Sequence, residues 1–171
     1  SGTTGNPKGA LHDHSALRNI RERHEAWPLR AGDTVLNYLP MFHIFSMAEM
    51  VFGALCMGVR QVIMDVWDPE RALRLIESEK VNGIHGFDTH YADLMRAKEK
   101  VKADLSSLKF GGLPAGMESS NAIALRAQKE LCPTYTGMGM SESGCYICVS
   151  APGDSEEQRC TPSGKPMSGI E

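Results

Sequence analysis

Stretches with the pattern of a strand alternate with stretches of helical pattern along most of this chain. That alternation constrains the fold more than any single motif. Residues 13–26, "DHSALRNIRERHEA", read as a helix that Asp13 can cap and Pro28 stops. "TVLNYL" (34–39) reads as a short strand ended by Pro40. "FSMAEMVFGALCMG" (45–58) is apolar nearly all round, which predicts a buried helix closed by Gly58. "VRQVIM" (59–64) is the next strand. "DPERALRLIESEK" (68–80) carries the clearest helix start, with Asp68 at the cap, Pro69 in the first turn and Glu70 near the positive end. "VNGIHGF", "LKFGG" and "PTYTGMGM" follow as strands, the last running into a glycine loop. "THYADLMRAKEK" and "MESSNAIALRAQKEL" are the helices between them. The polar "SAPGDSEEQRCTPSG" (150–164) reads as an exposed loop. The pattern predicts an α/β domain of parallel strands and helices in layers. In such sheets ligands bind beyond the carboxyl ends of the strands. Three glycine-rich loops, around 1–9, 111–116 and 137–144, follow or should follow strands.

The first of these loops, "SGTTGNPKG", holds no residue that builds a core. Its glycines allow turns with positive φ and bring backbone N–H groups close to a ligand, where successive N–H groups form anion-binding nests. Ser1, Thr3 and Thr4 add hydroxyl donors, Lys8 adds a charge on a flexible stem, and Pro7 stiffens the bend before it. Together they predict a cradle for phosphate oxygens. The spacing is not that of GxxxxGK[ST], because Lys8 lies between Pro7 and Gly9. A flexible terminal linker is the bland alternative.

Net charge of −3 speaks against general affinity for nucleic acid, which needs clustered positive charge. No apolar run approaches membrane-spanning length, so membrane association is not indicated. Five cysteines, an odd number, suit reduced thiols and a cytoplasmic setting better than a disulfide framework. Cys145 and Cys148 form a CxxC inside "CYICV", but on a strand the two thiols face opposite sides, so packing is the simpler reading. His12, His14, His85 and His90 lack a completing cysteine or acid, which argues against a metal cluster.

"SGTTGNPKG" resembles the phosphate-loop signature of the adenylate-forming superfamily, and the resemblance continues along nearly the whole chain. His14 matches the histidine just past that loop. "LPMFHIF" resembles the Leu-Pro-x-Phe-His segment, and "GFDTHY" sits where the family has Gly-Val-Pro-Thr-x-Tyr. "GGLP" resembles the adenine-side Gly-Gly-Ala-Pro turn, "GMGMSES" the Gly-Tyr-Gly-Met-Thr-Glu motif, and "SGKPMSGIE" the Gly-x-Pro-x-x-Gly-x-Glu segment. Four positions depart from the pattern. Met138 replaces an adenine-stacking aromatic, Ser141 a threonine, Ser46 a glycine and Asp88 a proline.

The resemblance implies an AMP-forming acyl-CoA synthetase, most like the fatty acyl-CoA ligases. A carboxylate attacks the α-phosphate of ATP, and coenzyme A then takes the acyl group. It implies phosphate binding by Ser1, Gly2, Thr3, Thr4, Gly5, Lys8 and Ser141, with Lys8, Ser141 and Glu142 catalytic and Glu142 holding magnesium. Adenine would lie against Gly112, Leu113, Pro114 and Met138, and the acyl substrate against His43, Phe87, Asp88, Gly137 and Gly139. Met41, Met47 and Met50 are further candidates for an apolar tunnel. The partners implied are a small carboxylic acid, fatty or otherwise apolar, with ATP and coenzyme A. Residues 1–171 would be the middle of a large N-terminal domain, without the small C-terminal domain and its lysine, so the isolated segment is expected to be inactive. The alternatives are a nucleotide-binding remnant without catalysis and an amino-acid adenylation domain of a peptide synthetase.

Overall fold

A computed structural model describes residues 5–114 and 118–170. Seven strands form one sheet in the order β2-β1-β3-β4-β5-β6-β7. These are β1 (Thr34–Asn37), β2 (Arg60–Ile63), β3 (Gly83–His85), β4 (Phe110–Pro114), β5 (Thr134–Met140), β6 (Cys145–Val149) and β7 (Lys165–Pro166). From β2 to β5 neighbouring strands are parallel, while β6 and β7 join antiparallel. The predicted α/β class is therefore the observed one. Every residue of β1 and β3 is buried, as are Phe110–Leu113 of β4. That is the burial of parallel strands covered on both faces.

The helices are α1 (Ser15–Ala26), α2 (Gly53–Met57), α3 (Pro69–Ser78), α4 (Asp88–Ala97), α5 (Glu118–Glu130) and α6 (Glu156–Cys160). Helix α3 starts as its sequence dictates: Asp68 Oδ1 accepts the N–H groups of Glu70 and Arg71, each at 3.0 Å. It buries Ala72, Leu73 and Ile76 at helical spacing, while its charged residues face outward. Among the described residues no helix is long and apolar enough to cross a membrane.

Four local expectations change. Asp13 accepts the Ser15 N–H at 2.8 Å, but His14 occupies the cap position of α1. The apolar run 45–58 opens as a π-helix, Ser46–Phe52, before α2, and Gly58 closes it at φ +66° as expected. It is not buried all round, since Leu55 is 70% exposed. "GMGM" is the end of β5 rather than a loop, because β6 returns alongside it and takes up its backbone groups. The stretch 150–164 contains α6. Ser155 Oγ accepts the Gln158 N–H and Gln158 Oε1 accepts the Ser155 N–H, and Cys160 is fully buried.

Candidate active site

The strand order reverses between β1 and β3, where the chain leaves β1 for one edge of the sheet and later returns on the other side. The crevice at such a switch point, beyond the carboxyl ends of the strands, is the usual ligand site of an open parallel sheet. Here that place is a cleft of about 270 Å³. The walls come from the ends of the parallel strands and the segments after them: His43 and Phe45 after β1, Phe87 after β3, Pro114 ending β4, Gly139 and Met140 ending β5, and Ser141 and Glu142 just after it. Tyr146 of β6 closes the side.

The walls are held by backbone bonds. His43 Nδ1 accepts the Phe45 N–H at 3.2 Å, which leaves the proton of the neutral ring on Nε2. Phe87 donates its N–H to His90 Nδ1 at 3.1 Å. Its ring is 5.3 Å from that of Phe45 and 6.4 Å from that of His43, centroid to centroid. Asp88 follows Phe87 but lies outside the cleft lining. Its Oδ1 accepts the Thr89 N–H at 2.8 Å, and its Oδ2 accepts the Ser120 hydroxyl of α5 at 3.3 Å. Gly112 and Leu113 are buried in β4, and only Pro114 of that turn reaches the cleft. Gly137 is buried in β5, and Met138 is 41% exposed. Met50 is buried in the core, Met41 is exposed, and Met47 lines a separate apolar hollow with Phe52 and Leu17.

Ser141 and Glu142 stand on a single 3-10 turn, Ser141–Ser143, between β5 and β6. The turn is tightly shaped. Ser143 Oγ accepts the Met140 N–H at 3.2 Å and lies 2.7 Å from the Cys145 carbonyl oxygen. Gly144 and Cys145 follow at φ +71° and +99°, turning the chain back onto β5. Gly139 faces this return so closely that an added Cβ would overlap the Cys145 carbonyl. Glu142 is exposed, with no ion-pair partner among the described residues. It lines the cleft on one side and a polar hollow of about 470 Å³ on the other, with His12, Asp13 and Asn19.

Ser1, Gly2, Thr3 and Thr4 lie outside the described residues. Gly5 and Lys8 are exposed. The segment that follows them docks on the Glu142 turn, where His12 Nε2 donates to the Ser141 carbonyl at 2.6 Å. Nothing in the local sequence marks this contact, which spans 129 positions. Among the described residues no three histidine, cysteine or acidic side chains gather as a metal site. The predicted magnesium role still fits Glu142. Magnesium keeps several waters and needs one or two carboxylates plus substrate phosphates, not an all-protein cage, and this carboxylate stands beside a polar hollow with no ion-pair partner among the described residues.

The model for AMP-binding enzymes matches residues 1–171. This chain belongs to the AMP-binding enzyme family. It is 30% identical over 176 residues to 2-succinylbenzoate–CoA ligase of Bacillus pumilus, covering all of this chain and 34% of that protein. With 4-coumarate–CoA ligase 1 of Arabidopsis thaliana it shares 29% identity over 158 residues, 88% of this chain and 28% of that one. The chain thus spans about a third of the length of these AMP-binding relatives. Its fold superposes on the N-terminal domain of FACL13 from Mycobacterium tuberculosis with a TM-score of 0.83 at 20% identity, covering 96% of this chain and 42% of that one. The o-succinylbenzoate coenzyme A synthetase of Bacillus subtilis, solved with ATP and magnesium ion, gives 0.82 at 24% identity, covering 98% and 34%. At these identities the solved structures speak for the fold alone.

Proposed function

We propose that the protein carrying this chain is an AMP-forming acid–CoA ligase for a small apolar carboxylic acid. The observation that carries the proposal is the position of Glu142, on the rim shared by an aromatic-walled cleft and a polar hollow. A carboxylate in the cleft and a triphosphate in the hollow would meet at that rim.

In this reading the acid's carboxylate oxygen attacks the α-phosphorus of ATP and pyrophosphate leaves. The thiol of coenzyme A then attacks the acyl carbonyl and AMP leaves. The first step brings two anions together, so fixed donors and cations must offset their repulsion as charge moves to pyrophosphate. Lys8, with Ser1, Gly2, Thr3, Thr4 and Gly5, holds the β- and γ-phosphates, and Ser141 donates near the α-phosphate. Glu142 would hold magnesium, which would neutralise phosphate charge there. Pro114 and Met138 flank the adenine, while Gly112 and Leu113, buried in β4, carry Pro114 to its place; methionine packs against a ring face more weakly than an aromatic stacks. Phe45, Phe87, Tyr146 and His43 receive the acyl group. Asp88 is committed to Thr89 and Ser120, which supports an apolar acid over an amino acid needing a counter-ion for its ammonium. The free cysteines fit a cytoplasmic setting.

The test is carboxylate-dependent exchange between ATP and pyrophosphate in the full-length protein, over a panel of aryl and fatty acids. Lys8→Ala is expected to slow exchange on the order of a hundredfold, the usual cost of one charge-stabilising group. Glu142→Gln is expected to raise the magnesium requirement. ADP as the nucleotide product, or exchange indifferent to added acid, would overturn the proposal.

A further inference from the structure

One buried charge cluster is not used by the chemistry above, yet it touches the turn that carries it. Arg23 of α1 and Glu49 of the π-helix are each 1% exposed. Arg23 Nη2 lies 2.6 Å from Glu49 Oε1, and His24 Nε2 lies 3.1 Å from Glu49 Oε2. The same guanidinium donates to two carbonyls of the β5–β6 return, Tyr146 O at 3.2 Å through Nη1 and Gly144 O at 3.4 Å through Nη2. Those carbonyls bracket Cys145, whose φ of +99° is strained for a residue with a side chain. Burying an ion pair is costly and rarely gains net stability over apolar packing. A strained residue persists only where its surroundings over-determine it. Here the surroundings include the Ser143 hydroxyl beside the Cys145 carbonyl and, on either side, the two Nη groups of one arginine.

We infer that Arg23 is a positioning residue: anchored by Glu49, it clamps the carbonyls on both sides of Cys145 and so holds the Ser141–Glu142 turn in place. Glu49 reaches Arg23 from a π-helix, a wider turn that often marks a functional position. Also facing the pair are His24, His85, the Tyr146 phenol and the Cys145 thiol; burial and the Glu49 charge push the thiol well up. His12 holds the opposite end of the turn through the Ser141 carbonyl. The turn is thus pinned at both ends by the segment that follows Lys8. The chemical consequence rests on the function proposed above; the clamp itself does not.

Arg23→Lys separates positioning from bulk stability, since lysine keeps the counter-charge for Glu49 but lacks the planar fork that reaches two carbonyls. In full-length R23K, amide hydrogen exchange across residues 141–146 is expected to rise at least tenfold. The affinity for Mn²⁺·ATP, read by the paramagnetic signal, is expected to fall several-fold while the KM for the acid stays unchanged. The double variant R23M/E49M, which removes both charges of the pair at once and so strands neither of them, is expected to show the same faster exchange. Wild-type exchange at 141–146 in both variants would overturn the clamp. Faster exchange with unchanged Mn²⁺·ATP affinity would overturn its link to Glu142. A full-length protein that neither adenylates nor binds nucleotide would instead overturn the proposed function, and the exchange result would then decide the clamp alone.

Discussion

Gly139→Ala tests how much of the site depends on the close return of β6 over β5. An added Cβ would overlap the carbonyl of Cys145 and stand 2.7 Å from Tyr146 Cα, whereas real Cβ atoms keep 3.0 Å or more. Every atom in its way is backbone, so no side-chain rotation relieves the clash. The strands must separate by close to 1 Å at the register shift between Met138 and Gly139, one turn from Ser141 and Glu142. Overpacking of this kind costs about 1–3 kcal/mol. Misplacing reacting groups by about 1 Å costs on the order of a hundredfold in rate. G139A in the full-length protein should therefore lose stability in urea by that amount, and ATP–pyrophosphate exchange should drop by one to two orders of magnitude. Gly153 has nothing within 4 Å of its own added Cβ, so G153A is the matched control and should change neither. G139A with wild-type stability and exchange would refute the claim that this contact shapes the site.

Two further outcomes follow from the core. His85 is buried among Trp27, Phe45 and Phe110, and burial holds it down to about 3. The unfolded chain takes up this proton below about 6.5 and the folded one does not, so stability falls as pH drops from about 6.5 towards 3, by up to about tenfold in the folding equilibrium per pH unit. Burial would raise Glu49, but Arg23 and His24 outweigh it and hold the carboxyl down to about 2, so its contribution is full above about 4.5 and lost as pH falls towards 2. His85→Phe should remove the upper part of this acid limb and leave the lower; urea titrations from pH 7 to 4 check it, and an unchanged limb would sink the assignment. Asp68→Ala removes the acceptor for two N–H groups at the start of α3 and should cost about 1 kcal/mol in the same assay, with no change in exchange activity.

What could be read from the sequence was local or periodic. Asp68-Pro69-Glu70 starts α3 because a cap needs only residues three positions away. Gly58 ends the apolar helix because its left-handed φ suits a residue without a side chain. Alternation of strand and helix led to the α/β class, and the motif residues led to the family. The misreadings are as instructive. "GMGM" looks like a loop, since glycine weakens a strand, but pairing with β6 overrides that preference. The stretch 150–164 looks like a polar linker, yet its Ser155 and Gln158 carry the spacing of a capping box that was there to be found.

The sequence by itself determined most of the strands and helices, though not α6 or the π-helix, and it supplied the residue types that the proposed phosphate and magnesium roles need. It carried no sign of what brings them together. His12 meets Ser141 across 129 positions, and Arg23 meets Tyr146 across 123. Asp88, placed by motif in the acyl pocket, is drawn instead to Ser120 of another helix. Only the tertiary structure decided these pairings. A cap or a period is written in neighbours along the chain, whereas a hydrogen bond across the sheet exists only once the strand order and the helix packing have put its two ends within 3 Å or so of each other.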